Sequence, residues 1–408
     1  MMNCRHCAAR LKLELIDLGS SPPSNAYLSA EGLHGPEKTY PLKVMICERC
    51  WLAQTLDFAQ AEELFSAEYA YFSSFSTTWL QHAERYVADM VERFHLDRDS
   101  RVVEVASNDG YLLQYVKASG ISCFGIEPTA STARAAREKG IETLETFFGA
   151  ELGVSLAVAG KQADLMAANN VLAHVPDIND FLSGFTNLLK PDGVATFEFP
   201  HLLRLLEQNQ FDTIYHEHFS YLSLTALETI FRHNGLSVFD AEEISTHGGS
   251  LRVFTQRVAS GGRVVTDHVG RLLERETAAG LASAAGYGGF QSRSERVKDD
   301  LLAFLIEAKR QGKRVAAYGA AAKGNTLLNF AGIRRDLIAY VVDLNPAKQD
   351  KYMPGSRIPI VDEARLLADR PEYVVILPWN LKSEVMSQLR QAGFVGRFVT
   401  AIPAIEIV

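Results

Sequence analysis

Apolar stretches of strand length alternate with amphipathic segments from residue 101 onwards. The β-branched run 101–106 is followed by an amphipathic segment over 111–118, and this alternation continues to residue 199. We predict strands at 101–106, 123–126, 163–168 and 194–199, helices at 79–94, 111–118 and 178–189, and a turn at 190–193. Strand, short loop and helix in succession form the unit on which nucleotides bind, so the pattern indicates an α/β fold.

A second α/β pattern occupies the end of the chain. A long helix at 290–311 introduces it, with strands predicted at 315–318, 338–342 and 373–377. Between the two patterns we predict a helix at 223–234, an antiparallel strand pair at 236–242 and 251–257, and a helix near 268–284. The surrounding Ser- and Gly-rich sequence of 258–289 predicts a connection between domains.

Length and charge narrow the class of protein. A chain of 408 residues exceeds what one ordinary core holds, so two or three domains are expected. A net charge of -8 gives no basic face for phosphates, so we expect no nucleic-acid partner. The N-terminus has no signal-peptide pattern and no apolar run reaches membrane-spanning length, which predicts a cytoplasmic protein without membrane contact. The oligomeric state stays open, with a monomer as the simplest case.

Four of the five cysteines form two Cys-x-x-Cys pairs, Cys4 with Cys7 and Cys47 with Cys50. Each pair offers two thiolates from a tight turn, which suits tetrahedral Zn²⁺. Disulfides are the alternative, and a reducing cytoplasm disfavours them. We therefore predict one structural zinc ion per chain, whose four sulfur ligands leave no open position for catalysis.

Polar side chains follow the predicted strands of the middle region. Ser107 and Asn108 follow the first strand, Glu127 ends the second, and Asn170 and His174 follow a later one. Ligands of open α/β sheets bind at the carboxyl ends of strands, where Glu127 is placed to accept hydrogen bonds from ribose hydroxyls. The first loop is not G-x-G-x-x-G, so the dinucleotide fingerprint is absent.

The run from Tyr215 to Tyr221 concentrates proton donors and acceptors. It contains two imidazoles, a carboxylate and two phenols, which is unusual outside a site of proton chemistry. The spacing of His216 and His218 does not place two metal ligands on one helix face. An aromatic turn packed at a domain seam is the structural alternative.

The motifs together resemble a known family. The run from Glu104 to Gly110, the acidic Glu127 and the stretch from Asn169 to Asp177 are similar to class I S-adenosylmethionine-dependent methyltransferases. With the cysteine pairs and the run from Tyr215 to Tyr221, the whole chain resembles the sugar C-methyltransferases, which methylate ketodeoxy sugars attached to a nucleotide. One departure is Ala106, where many methyltransferases carry glycine.

The resemblance implies a fold, a cofactor and a substrate. The implied domains are a zinc-binding domain at 1–70, a Rossmann-like methyltransferase domain at 71–260, and a Rossmann-like C-terminal domain at 261–408 that helps to bind the nucleotide sugar. The implied cofactor is S-adenosylmethionine, and the implied substrate is a 4-keto-deoxy sugar linked to a nucleotide, expected to be dTDP. Methylation would occur next to the ketone through an enolate.

The resemblance also implies residue roles. His218 is the expected base, Glu217, Tyr215 and His174 would orient it or carry the enolate charge, and Tyr69 would close the pocket. The expected cofactor-binding residues are Ser107, Asn108, Gly110, Tyr111, Glu127, Asn169 and Asn170. The expected substrate-binding residues are Tyr71, Tyr221, Gly248, Gly249, Ser250 and Lys323.

The glycine-rich turn at Gly248 and Gly249 and the loop 319–326 each allow more than one interpretation. The bare backbone at Gly248 and Gly249 allows close approach of a phosphate, but an ordinary glycine-rich hairpin is equally consistent. The amides of loop 319–326 and Lys323 suit a diphosphate.

Asp343 ends the next predicted strand, as a ribose-binding acid does in NAD domains. A bifunctional enzyme with an NADPH-dependent ketoreductase unit is therefore the alternative among enzymes. A non-catalytic scaffold that binds nucleotide sugars is the rival outside enzymes.

Overall fold

The computed structural model describes residues 2–56 and 72–408. The candidate residues Tyr69 and Tyr71 lie outside this range. Three β-sheets of four, seven and six strands organise the described residues. In the described part of the chain, no helix combines the length and apolarity needed to cross a bilayer.

The predicted helices and strands are present, but the strand predicted at 338–342 is only Val341–Val342, and the helix predicted near 268–284 ends at Ala278. The strands are β1 (Leu13–Ser21), β2 (Tyr40–Ile46), β3 (Ala53–Thr55), β4 (Arg101–Val105), β5 (Ser122–Ile126), β6 (Thr143–Leu144), β7 (Ala163–Asn169), β8 (Leu189–Pro200), β9 (Ser220–Tyr221), β10 (Leu236–Ile244), β11 (Ser250–Arg257), β12 (Val315–Tyr318), β13 (Val341–Val342), β14 (Ile360–Val361), β15 (Tyr373–Ile376), β16 (Arg397–Thr400) and β17 (Glu406–Ile407). The helices are α1 (Thr77–Phe94), α2 (Leu113–Ala118), α3 (Ala130–Glu138), α4 (Ala150–Val158), α5 (Ile178–Leu188), α6 (Leu202–Glu207), α7 (Leu224–His233), α8 (Asp267–Ala278), α9 (Phe290–Arg310), α10 (Ala322–Phe330), α11 (Glu363–Asp369) and α12 (Lys382–Gln391).

The central sheet has the strand order β6-β5-β4-β7-β8-β11-β10. Strands β4 to β8 run parallel, and β11 is antiparallel to both β8 and β10, as the predicted strand pair requires. The order reverses at β4, which has β5 on one side and β7 on the other. Such a reversal opens a crevice at the carboxyl ends of the two strands, so the loops after β4 and β7 flank a ligand site.

The predicted turn at 190–193 was wrong, because these residues belong to β8. Leu189 already pairs with Ala163 of β7, and the next pair joins Val194 to Leu165. The residues 190–193 therefore bulge from a continuous strand. Proline and glycine in this run bend the strand without ending it.

The C-terminal sheet repeats the same arrangement. Its order is β14-β13-β12-β15-β16-β17, in which only β17 is antiparallel to its neighbour. The order reverses at β12, so the loops after β12 and β15 flank a second crevice. The structure thus contains two Rossmann-like units, as expected.

The N-terminal sheet has the antiparallel order β1-β2-β3-β9. Its last strand, β9, comes from the candidate catalytic run far along the chain. One hydrophobic core joins this sheet through α9 to the C-terminal sheet, with Ile16, Val44, Leu301 and Val341 all fully buried. Each such side chain contributes roughly 1.5–3 kcal/mol on burial, so the first and last parts of the chain stabilise one another.

A segment at 22–37, which we name the clasp, crosses onto the C-terminal unit. The backbone amide of Leu28 donates to the carbonyl of Tyr352 at 3.0 Å, and Tyr352 returns a bond at 2.8 Å. The hydroxyl of Tyr27 donates to the carbonyl of Ala320 at 2.6 Å, in the loop after β12. The clasp therefore fixes the N-terminal unit against the second crevice.

Helices α4 and α5 pack closely because glycines face one another. An added Cβ at Gly153 of α4 would lie 2.6 Å from the carbonyl oxygen of Gly184 in α5. Backbone atoms cannot move aside as a flexible side chain can. Gly153 is therefore required for this approach.

We expect Gly153→Ala to lower the free energy of unfolding by about 1–3 kcal/mol, because the new methyl group overpacks the contact. Gly270→Ala is the matched control, since Gly270 also lies in a helix and an added Cβ there meets no described atom within 4 Å. The control should be neutral or stabilising by up to about 1 kcal/mol, because alanine favours helix. Denaturant unfolding measures both, and equal stabilities would contradict the close contact.

Candidate functional site

The loop after β4 adopts an unusual backbone. Ala106, Asn108 and Gly110 have positive φ angles of 59°, 49° and 76°. An added Cβ at Gly110 would lie 2.5 Å from Cδ1 of Ile141, so only glycine fits there. Non-glycine residues in the left-handed region are costly, and such strain concentrates at functional sites.

Glu127 ties this loop to the loop after β5. One carboxylate oxygen accepts a bond from the amide of Asn108 at 3.0 Å. The other accepts from the amide of Thr129 at 2.9 Å and the hydroxyl of Thr132 at 3.1 Å. A carboxylate has about four acceptor positions, so one remains for the predicted bond to a ribose hydroxyl.

Buried polar atoms without a partner line the same crevice. Within residues 2–56 and 72–408, these atoms include the hydroxyl of Ser107, Oδ1 of Asn169 and both side-chain polar atoms of Asn170. Burial raises the pKa of Glu104 well above its usual value. An orphaned buried polar group costs about 1–3 kcal/mol, so a polar ligand that pairs with these atoms is stabilised. The amino acid and nucleoside groups of S-adenosylmethionine fit this set of donors and acceptors.

Two of the predicted cofactor residues also shape the pocket. Oδ1 of Asn108 accepts a hydrogen bond from the amide of Ser73 at 3.0 Å, which fixes the segment before α1. The ring of Tyr111 is buried and stacks on Trp79 of α1, with 5.9 Å between ring centroids. Helix α1 thus covers one end of the crevice.

The run from Thr213 to Tyr221, which we name the catalytic run, starts at the last residue of a short 3-10 turn and ends in β9. Its backbone is held by donors from three units. Thr55 of β3 donates its hydroxyl to the carbonyl of His218 at 2.9 Å and its amide to the carbonyl of Phe219 at 3.1 Å. Thr326 of α10 donates to the carbonyl of Ile214 at 2.7 Å. The N-terminal and C-terminal units therefore both position this run.

The central unit supplies the third support. Nδ1 of His174 donates to the carbonyl of Glu217 at 2.7 Å. The amide of Phe219 donates to the carbonyl of Ala173 at 2.8 Å. The loop after β7 and the catalytic run are thereby joined, which brings the predicted residues His174 and His218 together with 4.6 Å between ring centroids.

The ring of His218 has a defined tautomer. Its Nδ1 lies 3.0 Å from the carbonyl oxygen of Thr213, which can only accept, so Nδ1 carries the proton and Nε2 the lone pair. Burial lowers the pKa of His218 well below its usual value, and the nearby His174 lowers it further. Burial also lowers the pKa of His174 to about 4. Both rings are therefore neutral at neutral pH.

The side chain of Glu217 points away from the predicted role. Its Oε1 accepts a bond from Nδ2 of Asn25 in the clasp at 3.1 Å, and burial raises its pKa. The ring of His218 is oriented instead by the hydrogen bond that its Nδ1 donates to the carbonyl of Thr213. Glu217 contributes through its own carbonyl, which holds His174.

Tyr215 and Tyr221 both lie against His218. The ring of Tyr215 lies 4.0 Å from that of His218, and the ring of Tyr221 lies 5.9 Å from it. A small cavity beside His218 is lined by Thr213, Ser220 and Tyr221. The hydroxyl of Ser220 is buried without a partner among the described residues, and that of Tyr221 is buried beside the backbone of Tyr215. This cavity is thus polar on the side of β9.

Side chains of the protein occupy the space beside the glycine-rich turn after β10. An added Cβ at Gly248 would lie 2.4 Å from the ring of Trp379, and one at Gly249 would lie 2.8 Å from Arg204. The hydroxyl of Ser250 donates to the carbonyl of Thr246 at 3.0 Å. These contacts give all three residues a packing role, and their contact with a substrate stays a prediction.

Lys323 lies at the seam between the central and C-terminal units. Its ammonium group donates to Asn380 at 2.7 Å and sits 4.8 Å from the centre of the Trp379 ring. Nε1 of Trp379 donates to Asp212 at 2.8 Å. Burial raises the pKa of Asp212 to about 6, whereas the charge of Lys323 lowers the pKa of His218. Lys323 lies on α10 with Thr326, whose hydroxyl donates to the run that contains the predicted base.

The cysteine pairs converge on one point. The sulfur atoms of Cys4, Cys7, Cys47 and Cys50 all lie within 4.8 Å of one another. Sulfur atoms around tetrahedral zinc are separated by roughly 3.8 Å, given Zn–S bonds of about 2.3 Å. The pair Cys4 and Cys50 is 3.6 Å apart and the pair Cys7 and Cys47 is 3.5 Å apart, too far for a disulfide. The site therefore fits zinc.

The two cysteine turns have the same backbone. The carbonyl of Cys4 accepts from the amide of Ala8 at 2.9 Å, and that of Cys47 accepts from the amide of Trp51 at 2.8 Å. Ala8 and Trp51 both have positive φ angles, of 56° and 60°. Gln54 of β3 also donates to the sulfur of Cys4 at 3.3 Å, so the zinc site is bonded directly to the strand that supports the catalytic run.

Known proteins match the chain along its whole length. Residues 4–65 match a zinc binding domain, residues 79–241 a methyltransferase domain and residues 245–403 a C-methyltransferase C-terminal domain. The C-methyltransferase NovU from Streptomyces niveus is 36% identical, over 99% of this chain and 96% of NovU. The chain belongs to the sugar C-methyltransferase family. It is an S-adenosylmethionine-dependent C-methyltransferase with a zinc-binding domain.

The solved structures that are similar to this chain align with only part of it. A magnesium protoporphyrin IX methyltransferase from Synechocystis with bound S-adenosylmethionine is 17% identical and covers 44% of this chain and 79% of its own, with a TM-score of 0.34. The PH0226 protein from Pyrococcus horikoshii is 14% identical and covers 49% of this chain and 100% of its own, with a TM-score of 0.37. Both align with less than half of this chain.

Several residues at the site have no sequence signal of their own. Thr55, Thr213 and Thr326 hold the catalytic run through a hydroxyl or a carbonyl. A threonine in a strand or a short helix is ordinary, so only the fold reveals this role. Trp379 and Asp212 were missed for the same reason, since they meet across the seam.

We expect metal analysis of this methyltransferase to find about one zinc per chain. Replacing Cys47 with serine should lower both the zinc content and the thermal midpoint, because it removes one of four sulfur ligands. The matched control is Cys123→Ser, since Cys123 lies outside the cluster. Folded protein without metal would contradict the assignment.

We expect Glu127→Ala to weaken S-adenosylmethionine binding by about 10- to 100-fold, because the loop loses bonds to a charged acceptor. Calorimetry measures the affinity. Glu142→Ala is the control, since Glu142 lies in the same unit but its side chain is 56% exposed and pairs only with Lys161 among the described residues. Equal affinities for the two variants would show that Glu127 does not organise the cofactor loop.

Proposed function

We propose that the enzyme methylates a carbon next to the ketone of a nucleotide-linked 4-keto-deoxy sugar, through an enolate, in deoxysugar biosynthesis. The expected nucleotide is dTDP. The observation that carries the proposal is the neutral ring of His218, whose Nε2 bears the lone pair in a buried pocket at the meeting point of three units. Enolate formation requires such a base.

The proposed first step is removal of a proton by Nε2 of His218. The electrons of the broken C–H bond form a carbon–carbon double bond, and the ketone oxygen takes the negative charge. S-adenosylmethionine, when bound, supplies the methyl group that the nucleophilic carbon accepts. The protein must hold the sugar near the cofactor crevice and exclude water, which the surrounding units support.

The low pKa of His218 has two opposite effects on this step. It keeps the ring neutral and ready to accept a proton across the physiological pH range. It also makes the ring a weaker base, so proton removal depends on stabilising the charge on the ketone oxygen. A site with His218 as base therefore needs hydrogen-bond donors on the opposite side of the sugar.

The neighbours of His218 take supporting roles in the proposal. Tyr215 packs on its ring and offers a phenol to the sugar, while His174 fixes the catalytic run through the Glu217 carbonyl. Asn25 and burial keep Glu217 in place. Tyr69 would close the pocket and Tyr71 would contact the sugar.

The nucleotide is proposed to lie at the seam with the C-terminal unit. Lys323 offers a positive charge there, at the start of α10, and Trp379 offers an aromatic face. A diphosphate is stabilised by the ammonium group, and the nearby His218 then faces the attached sugar. This arrangement supports a division of the chain at about residues 70 and 260, with the last domain binding the nucleotide.

The C-terminal crevice gives less support to a nicotinamide cofactor. Asp343 already accepts a bond from the amide of Ala320 at 2.8 Å and pairs with Lys348 at 3.6 Å. The carbonyl of Ala320 accepts from Tyr27 at 2.6 Å and from Lys348 at 2.8 Å. The protein thus uses the atoms with which a dinucleotide domain binds its ligand. A test for NADPH oxidation with a ketosugar separates the two activities.

We expect His218→Asn to abolish methylation of a dTDP-linked 4-keto-deoxyhexose, by at least about 100-fold, while S-adenosylmethionine binding stays intact. The reason is that the variant lacks the nitrogen lone pair that accepts the proton. Product formation by mass spectrometry and cofactor affinity by calorimetry measure the two effects. His95→Asn, at an exposed helix end, is the control with expected wild-type activity. Near-normal methylation by His218→Asn would refute the role of His218.

A further inference from the structure

The ketone oxygen needs a hydrogen-bond donor that His174 and His218 do not supply. Each of these neutral rings has one N–H, and each N–H already donates to a backbone carbonyl. Their remaining nitrogens can only accept while the rings are neutral. A donor for the developing negative charge must therefore come from another side chain.

His247 lies in the turn between β10 and β11 in a constrained backbone. Its φ angle is 55°, in the left-handed region that a histidine adopts at a cost. The two glycines that follow have φ angles of 90° and 114° and pack without room for a Cβ against Trp379 and Arg204. The turn is thus fixed from the seam side, and the ring of His247 is held in one place.

The ring of His247 reaches the edge of the cofactor crevice. It packs edge-on against Trp79, with 5.3 Å between centroids, and Trp79 in turn stacks on Tyr111 of the cofactor loop. Nδ1 of His247 is buried and has no hydrogen-bond partner in the described part of the chain. A buried ring nitrogen without a partner is costly unless a ligand pairs with it.

A hydrogen bond joins the turn of His247 to the cavity beside His218: Nε2 of Gln210, which also lines this cavity, donates to the carbonyl of Gly248 at 2.8 Å. Besides burial, the charge of Lys323 lowers the pKa of both His218 and His247. Burial is the main cause that lowers the pKa of His247 to about 4. The ring is therefore neutral at neutral pH, and it can donate an N–H bond without transferring a proton.

We propose that His247 is a catalytic residue that donates a hydrogen bond to the ketone oxygen and stabilises the charge this oxygen gains when His218 removes the proton. The inference rests on the proposed enolate reaction. No atom is exchanged between His247 and the sugar: the N–H bond stays intact, and the oxygen accepts it more strongly as its charge grows.

Deuterium exchange tests this role apart from methyl transfer. The enzyme is incubated in D₂O with a dTDP-linked 4-keto-deoxyhexose and S-adenosylhomocysteine, which permits enolate formation but no methylation. Mass spectrometry follows deuterium entering next to the ketone. We expect His247→Leu to slow exchange by about 100-fold, the usual effect of losing one oxyanion donor, with little change in the apparent KM for the sugar.

His247→Asn separates a chemical role from a structural one. The amide nitrogen of asparagine can lie near the position of Nδ1, and asparagine tolerates the left-handed backbone. Exchange by this variant should be at least about ten times faster than that by His247→Leu. Equal rates for the two variants, or a wild-type rate for His247→Leu, would overturn the proposal.

His95 provides a matched control for the backbone. It has a φ angle of 52°, close to that of His247, and is exposed at the end of α1. His95→Leu should lose a similar amount of stability but keep the wild-type exchange rate. If it slowed exchange as His247→Leu does, the effect would be one of strain, and the proposal would fail.

Lys323→Met distinguishes sugar binding from charge stabilisation. If Lys323 contacts the diphosphate, its loss should raise the KM in the exchange assay more than it lowers the maximal rate. A fall in maximal rate as large as that of His247→Leu would assign the oxygen to Lys323 and overturn the proposal. If the wild-type enzyme neither exchanges nor methylates any 4-keto-deoxy sugar, the proposed function itself fails.

Discussion

The backbone of the catalytic run must find hydrogen-bond donors, and this requirement shapes the whole molecule. Only β9, at its end, joins a sheet, so donors for its carbonyls come from elsewhere. Thr55, His174 and Thr326 supply them, one from each unit. Because a buried carbonyl without a donor costs about 1–3 kcal/mol, the observed conformation of the run depends on all three units.

The cysteine cluster and the catalytic run are linked through the same part of the first sheet. Gln54 contacts the sulfur of Cys4, and its backbone pairs with Ser220 in the neighbouring strand. Arg5, between the first two cysteines, also donates to the carbonyl of Pro176 at 2.8 Å in the loop after β7. The cysteine cluster is thereby hydrogen-bonded to both of the segments that carry His174 and His218.

The sequence predicted what depends on short-range spacing and missed what depends on contact across the chain. The zinc-binding cysteine pairs and the alternation of strands and helices could be predicted, because a turn or an amphipathic period is encoded within a few residues. The turn at 190–193 was wrong because pairing with β7 overrides the local preference of proline and glycine. The sequence pointed to Gly248 and Gly249 but not to His247, because only the fold brings the ring of His247 against Trp79. The support expected from the Glu217 side chain comes from the Thr213 carbonyl, a group every residue has.

Because β9 completes the first sheet from far along the chain, one edge of that sheet stays unpaired during translation. Strand β3 has an open edge until β9 arrives, about 165 residues later in the chain. At translation rates of about 5–20 residues per second, this edge is exposed for roughly 10–30 s. An unpaired edge is prone to join strands of other chains. β3 is only three residues long. So short an edge offers few backbone groups to another chain, which limits aggregation until β9 has been synthesised.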